Sequence, residues 1–297
     1  MKAEKANYPV TLMARVLNIS RSGFYDWLKR IPTPDRWTDL CVHIEQLWLD
    51  SDRVFGAKSI FDLIKVDENF SSTTLYRVRK CMHQMGICGI QRRSSKRTTI
   101  ADPDAPVRPD LIKRDFTSPV PTIKLVGDIT YLKTAQGWLY LAVVIDLCTR
   151  MVVGWSMANH MRASLCVSAL DMAHKRGYVA DGAIFHSDRG AQYTSLEFSQ
   201  YAASIGIRLS VGRTGSCHDN AVAESFFSRL KNERYNRYSY KTHTDAKAAV
   251  VSYIEGFYNR HRPHSAIDGK IPAEAMDSFF ERTRFIACED LAECRAA

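Results

Sequence analysis

Three acidic residues stand where an ordinary soluble chain has little use for them. Asp128 lies inside a β-branched, apolar run, Leu125-Val126-Gly127-Asp128-Ile129-Thr130-Tyr131. Asp188 closes the stretch Phe185-His186-Ser187-Asp188, ahead of Arg189-Gly190, and Glu224 opens a helical one, Asn220-Ala221-Val222-Ala223-Glu224-Ser225-Phe226-Phe227. An acid in mid-strand is costly to bury without a partner, and the carboxyl end of a strand in an α/β sheet is a usual place for a site. Each acid also has a plainer use: Asp128 against a core cation, Asp188 in a turn beside Gly190, Glu224 at the positive end of a helix dipole. Together they form an all-oxygen ligand set suited to Mg2+ or Mn2+. Crowded carboxylates repel one another, and two divalent ions roughly 3.5–4 Å apart relieve that repulsion. One such ion activates an attacking water or 3′-hydroxyl, and the other stabilises the leaving oxygen. The chemistry is in-line phosphoryl transfer, driven by positioning and charge neutralisation.

The elements that must carry these acids follow from periodicity. Residues 124–134 alternate and are rich in β-branched side chains, 135–137 form a turn, and 138–146 and 150–157 continue as strands of an antiparallel meander. Then come a helix over 163–175, a short buried strand over 183–186, a helix over 195–205, a strand over 207–211 and a helix over 220–234. The order βββαβαβα is that of a mixed α/β sheet of the ribonuclease H-like class. Lys231 follows Glu224 by seven residues, two α-helical turns with only about 20° of drift, so the two share a face. Asp146, at the end of the second strand, is read as a turn former ahead of Cys148.

The first third reads as helices: 10–17 and 21–29 around a turn with Ser20 as N-cap, then 38–49, 59–66 and 72–85, the last capped by Ser72 or Thr73. Net charge over the 297 residues is +9, and residues 1–114 hold 20 Lys and Arg against 13 Asp and Glu. Residues 69–101 contain Arg77, Arg79, Lys80, Arg92, Arg93, Lys96 and Arg97 and no acid. A polyanion is the natural partner of such a stretch, a solvated basic face the plainer reading. Residues 102–109 contain three prolines and two acids and read as a linker. The expected division is a helical DNA-binding region over 1–101, a linker over 102–119, a catalytic core over 120–240 and a helical extension over 241–297.

The local words are specific. Asp188 and Glu224 are separated by 35 residues. That spacing after an earlier aspartate resembles the signature of retroviral integrases and of the second-reading-frame (OrfB-type) insertion-sequence transposases. Gly127-Asp128-Ile129-Thr130-Tyr131, His186-Ser187-Asp188-Arg189-Gly190-Ala191-Gln192-Tyr193 and Glu224-Ser225-Phe226-Phe227 look like the words of that transposase family. Tyr258-Asn259-Arg260-His261-Arg262-Pro263-His264 resembles its C-terminal motif, and Ser20-Arg21-Ser22-Gly23-Phe24-Tyr25 its N-terminal end. Two words depart from it. Lys124-Leu125 stand where a tryptophan is common, and Phe55-Gly56-Ala57 where an aromatic–glycine–tyrosine word is common. Neither touches a proposed ligand.

The resemblance implies a DNA transposase that cuts insertion-sequence ends and joins them to target DNA, with Asp128, Asp188 and Glu224 as the catalytic set on two Mg2+ or Mn2+ ions. It implies that Lys231 touches DNA near the site. His186, Arg189, Gln192 and Asn220 flank the acids in supporting positions; His186 orients Asp188 or a phosphate, or is simply a structural histidine. Arg262, with Tyr258 and His264, contacts DNA or packs between domains. Implied partners are double-stranded DNA, further copies of the chain on paired ends, and the upstream reading-frame product. Two other functions share the fold and the acids: a nuclease that hydrolyses without joining, and a non-catalytic DNA-binding regulator. The longest apolar run, residues 138–145, is too short for a membrane span. No signal peptide is read at the N-terminus, so a cytoplasmic, nucleoid-associated protein is expected. The eight cysteines form no C-x-x-C pair, which argues for reduced buried thiols over a zinc site.

Overall fold

The computed structural model describes residues 1–29, 37–90, 109–113, 115–212 and 221–282. Five N-terminal helices come first: α1 (Val10–Val16), α2 (Arg21–Lys29), α3 (Thr38–Asp50), α4 (Ala57–Ile64) and α5 (Leu75–Met85). Ser20 caps α2 as expected, its hydroxyl accepting the Gly23 N–H at 2.9 Å. A Cβ at Gly23 would press on that same oxygen at 2.8 Å, so the glycine that looks out of place in a helix leaves room for the cap. Helix α5 starts later than the sequence suggests. Thr74, not Ser72 or Thr73, is the cap and accepts from Arg77 N–H; Gly86, at φ +66°, ends the helix in the left-handed conformation. Helices α3 to α5 share a core of Leu40, Ile44, Ile60, Ile64, Val78 and Met82, to which Val54 and Phe55 contribute from the intervening loop.

A five-stranded sheet follows: β1 (Lys124–Thr134), β2 (Gly137–Asp146), β3 (Val152–Ala158), β4 (Ile184–Ser187) and β5 (Arg208–Val211), in the order β3-β2-β1-β4-β5. β1, β2 and β3 form the antiparallel meander, while β4 lies parallel to both β1 and β5. This is the ribonuclease H-like arrangement. Alternation along β1 sends Leu125 to one face, against α6 (Ala163–Lys175) and α8 (Leu196–Ser204). It sends Val126 and Leu132 to the other, against α9 (Ala221–Arg229) and α10 (His243–Val251). A four-residue helix, α7 (Ala191–Thr194), precedes α8. The expected helix over 220–234 is α-helical only to Arg229 and continues as a π-helical turn, Leu230–Arg234.

Residues 246–258 belong to the second layer of the sheet, while Met276 joins the first. Ala246, Val250, Tyr253, Ile254 and Tyr258 share one apolar cluster with Leu139, Leu141, Val143 and Phe226. Asp146 is fully buried and accepts from the N–H groups of Thr122, Cys148 and Thr149 and from the Thr149 hydroxyl. Burial pushes its pKa up while those donors pull it down. It is a turn residue. Cys41, Cys81, Cys88, Cys148 and Cys166 carry free thiols; Cys81 and Cys166 are buried, whereas Cys88 is exposed, contrary to the expectation of buried thiols throughout. Among the described residues no helix is long and apolar enough to cross a membrane.

Candidate active site

The pairing of β1 creates the site. β2 accompanies β1 along its whole length, from Leu125↔Asp146 to Thr134↔Gly137. β4 accompanies it only through Lys124, Val126 and the residue between them. Beyond Val126 the second edge of β1 is therefore open, and Asp128 lies two residues into that open edge. Asp188 lies one residue beyond the end of β4. Asp128 and Asp188 thus both line a cavity of about 590 Å3 where the parallel strands diverge, with Gly190, Ala191, Gln192 and Tyr193.

Each local word has a packing reason. A Cβ at Gly127 would collide with the ring of Phe185 on β4, so only glycine lets the strands close directly ahead of Asp128. Phe185, Tyr193 and Phe198 form a buried aromatic floor, with ring centroids 5.9, 5.3 and 5.3 Å apart. Asp188 accepts the Gly190 N–H at 3.0 Å; burial raises its pKa and that hydrogen bond lowers it. Asp128 is half-buried, and its Oδ1 accepts the Ile129 N–H at 2.7 Å.

Glu224 stands in the first turn of α9, exposed, and is not among the residues lining the cavity. Its neighbours Ala223, Phe226 and Phe227 pack on the face of the sheet that holds Val126 and Leu132. Period-two alternation puts the Cβ of Asp128 on that same face. Among the described residues no three His, Cys, Asp or Glu side chains lie close enough together to hold a metal ion. The structure therefore brings two acids together and leaves the third on the helix beside them.

Lys231 sits in the π-helical turn, its Nζ 5.1 Å from the centroid of the Tyr131 ring. Burial lowers its pKa and the Asp128 carboxylate raises it, so the ammonium lies within electrostatic reach of the site. A seven-residue spacing puts Glu224 and Lys231 on one face only in a continuous α-helix, and here the α-helix ends at Arg229. A π turn is wider and shifts the register, and from it Lys231 reaches Tyr131, which lines the cavity.

The flanking residues divide differently from expectation. His186 is buried, its Nδ1 2.8 Å from Ser210 Oγ on β5 and its ring edge-on to Phe116. Arg189 donates to the Gly212 carbonyl and Gln192 to the Met161 carbonyl; only Gln192 of these lines the cavity. Arg262 is committed to Glu233 through Nε and Nη2, at 2.9 and 2.6 Å. Tyr258 donates to the Arg150 carbonyl, and buried His264 pairs with Arg229. Tyr258, Arg262 and His264 are thus engaged inside the protein, whereas Arg260 and His261 of the same word are exposed. Arg77 and Lys80 stack their cationic groups on Trp37, 5.8 and 4.8 Å from its ring centroid, and Arg79 is exposed. Arg92, Arg93, Lys96, Arg97 and Asn220 lie outside the described residues. Sequence reasoning missed Tyr131, Trp138, Tyr140 and Met161 as cavity residues. Tyr131 and Trp138 carried one signal, aromatic side chains at the exposed end of a predicted hairpin.

A 3-2-1-4-5 sheet flanked by helices defines the class, a ribonuclease H-like core, and two aspartates line a cavity where β4 leaves β1. Comparison with known proteins agrees. The family described as "Integrase core domain" matches residues 119–217, and a second family of the same description matches 205–272. Transposase InsF for insertion sequence IS3A of Escherichia coli (strain K12) is 35% identical over 279 residues, covering 92% of this chain and 96% of that protein. An uncharacterized 31 kDa protein of insertion element IS600 from Shigella sonnei is 31% identical over 271 residues, covering 91% and 99%. Among solved structures, the HTLV-2 integrase catalytic core domain in complex with magnesium (trimeric form) is 18% identical over 53% of this chain and 97% of that one, with a TM-score of 0.42. The chain belongs to the insertion-sequence transposases with an integrase-type core, polynucleotidyl-transferring enzymes of transposition and DNA integration.

Proposed function

We propose that Asp128, Asp188 and Glu224 are the catalytic carboxylates of this transposase, cutting the ends of its insertion sequence and joining them to target DNA. The observation that carries this reading is the meeting of Asp128 and Asp188 in one cavity at the β1–β4 divergence. The donor set fits a divalent cation: it is oxygen-only, and the burial that raises the Asp188 pKa is relieved by a positive charge beside it. Asp128 and Asp188 would hold Mg2+ or Mn2+, and Glu224 on α9 would complete the set. Bound there, a pair of such ions supplies charge neutralisation and an oxygen nucleophile active at neutral pH. Lys231, held over Tyr131 beside Asp128, binds a DNA phosphate next to the reacting one. Arg77, Arg79 and Lys80, with Arg92, Arg93, Lys96 and Arg97, hold the duplex backbone, so residues 1–101 act as the DNA-binding region, 102–119 as its linker and 120–240 as the catalytic core, extended by 241–297. Paired element ends require more than one copy of the chain, and the upstream reading-frame product is a further partner.

The test is strand cleavage and joining with labelled element ends and target DNA. Asp188→Asn is expected to abolish both while the melting temperature in EDTA stays level or rises, because a buried charge has been removed. Joining at the wild-type rate by that variant would sink the assignment. Cleavage without joined product by the wild-type chain would favour a hydrolytic nuclease.

A further inference from the structure

The cavity that holds the two carboxylates has a second wall with no part in phosphoryl transfer. It is built from Tyr131, Trp138, Tyr140 and Met161. Tyr131 and Tyr140 are directly opposed across β1 and β2, and Trp138 sits diagonally from Tyr131, edge-on with centroids 5.2 Å apart. The three rings run down the β1–β2 hairpin on the face of β1 opposite the Asp128 Cβ, and they meet Asp128 in the cavity at the open strand edge. Trp138 is 48% exposed and Tyr131 39%, and neither belongs to an apolar core cluster of the sheet. Large aromatic surface left open beside two carboxylates and an ammonium has no packing explanation. The Lys231 ammonium over Tyr131 helps to fix that ring in place.

We propose that this wall is a stacking platform for an unpaired nucleobase at the DNA end, with Trp138 as its principal ring and Tyr131 as the buttress. A flat ring accepts the π face of any base, so the platform tolerates different sequences. A DNA end whose last bases leave the helical stack offers them to such a ring. A ring that receives one of them holds the adjoining phosphate at the carboxylates and offsets the loss of stacking. Trp138 and Tyr131 are therefore positioning residues. The proposal rests on the reading of this cavity as the phosphoryl-transfer site.

The experiment uses the full chain in EDTA, so that no strand is cut, and two short duplexes of the same sequence. One is paired to its end; the other has two unpaired 3′ nucleotides, the last of them 2-aminopurine. The wild-type chain is expected to prefer the unpaired end and to quench the 2-aminopurine fluorescence. Trp138→Ala should weaken binding to the unpaired end by at least about five-fold, the lower range of one base–aromatic stack. It should also lose the quench, with binding to the paired duplex unchanged. Trp138→Phe should restore most of both. Quenching by Trp138→Ala equal to wild type, or equal loss of affinity for both duplexes, would overturn the platform. Asp188→Asn separates the two readings: joining that survives it removes the catalytic assignment, whereas the quench with this variant still reports on the platform.

Discussion

Arg262 and Glu233 form a nearly buried ion pair that anchors the π-helical turn carrying Lys231. Glu233 lies in the π-helical turn with Lys231, and it accepts from Arg262 and from the Tyr253 hydroxyl, at 2.7 Å for the latter. The Arg262 and Glu233 side chains are only 11% and 9% exposed, so removing one partner strands a buried charge. Arg262→Ala should cost roughly 3–5 kcal/mol in urea denaturation. Arg262→Met combined with Glu233→Leu should recover only part of that loss, because an apolar pair replaces the ions but leaves the buried Tyr253 hydroxyl without its acceptor. A single variant as stable as wild type would show that the pair is solvated and holds nothing. Asn259 serves the same layer in another way: its side-chain amide exchanges two 3.0 Å hydrogen bonds with the backbone of Val152, at the irregularity where β3 leaves β2.

At the scale of elements, the sheet and α6 approach each other more closely than side chains ordinarily allow. Gly154 on β3 makes this possible: a Cβ there would collide with the Ala169 carbonyl and press on Ala173. The obstacle is helix backbone, which cannot rotate aside. Gly154→Ala should therefore destabilise the chain by about 1–3 kcal/mol through overpacking. Gly256→Ala, where nothing lies within 4 Å, should stay within about 1 kcal/mol of wild type. Thermal unfolding of the two variants side by side tests the argument, and equal melting temperatures would refute it. The same closeness recurs at Gly127 under Phe185, where it fixes the strand that carries Asp128. The placing of Asp128 thus depends on a glycine that fits under a neighbouring ring.

Across the whole molecule the excess positive charge is uneven, +7 of the total +9 lying in residues 1–114 on a count of 20 basic against 13 acidic side chains. Arg77 and Lys80 pack their cationic groups on Trp37, which orders them without neutralising them. DNA affinity should fall steeply between about 50 and 200 mM salt, as condensed counterions are released. Replacing Arg77, Arg79 and Lys80 together by alanine should weaken binding to all sequences alike. The same change should reduce the salt slope by roughly one for each phosphate that is no longer neutralised. Anisotropy titrations at several salt concentrations measure both. An unchanged slope would relieve α5 of any part in DNA binding.

Much of the fold was legible in the residues themselves. The alternation of β1, the turn at Gly137 and the length of α6 are local properties, and β-branched spacing, glycine and helical periodicity determine them without reference to the rest of the chain. That Asp128 is an acid inside a strand and Asp188 one just past a strand end was legible for the same reason; that both line one cavity was not. The Thr74 cap, the early end of the α-helical part of α9 and the interior role of Arg262 were not. Each depends on a partner far along the chain or on competition among adjacent capping groups, and single-segment propensity does not register that. The strands, the acids and the order in which they come are thus written in the residues alone. That β4 leaves β1 at Val126, opening the edge where Asp128 and Asp188 meet, is settled by packing, as is the placing of a hairpin's aromatic end against the same cavity. Strand divergence is set by how sheets twist and pack against helices, a property of the assembled layers and of no one segment.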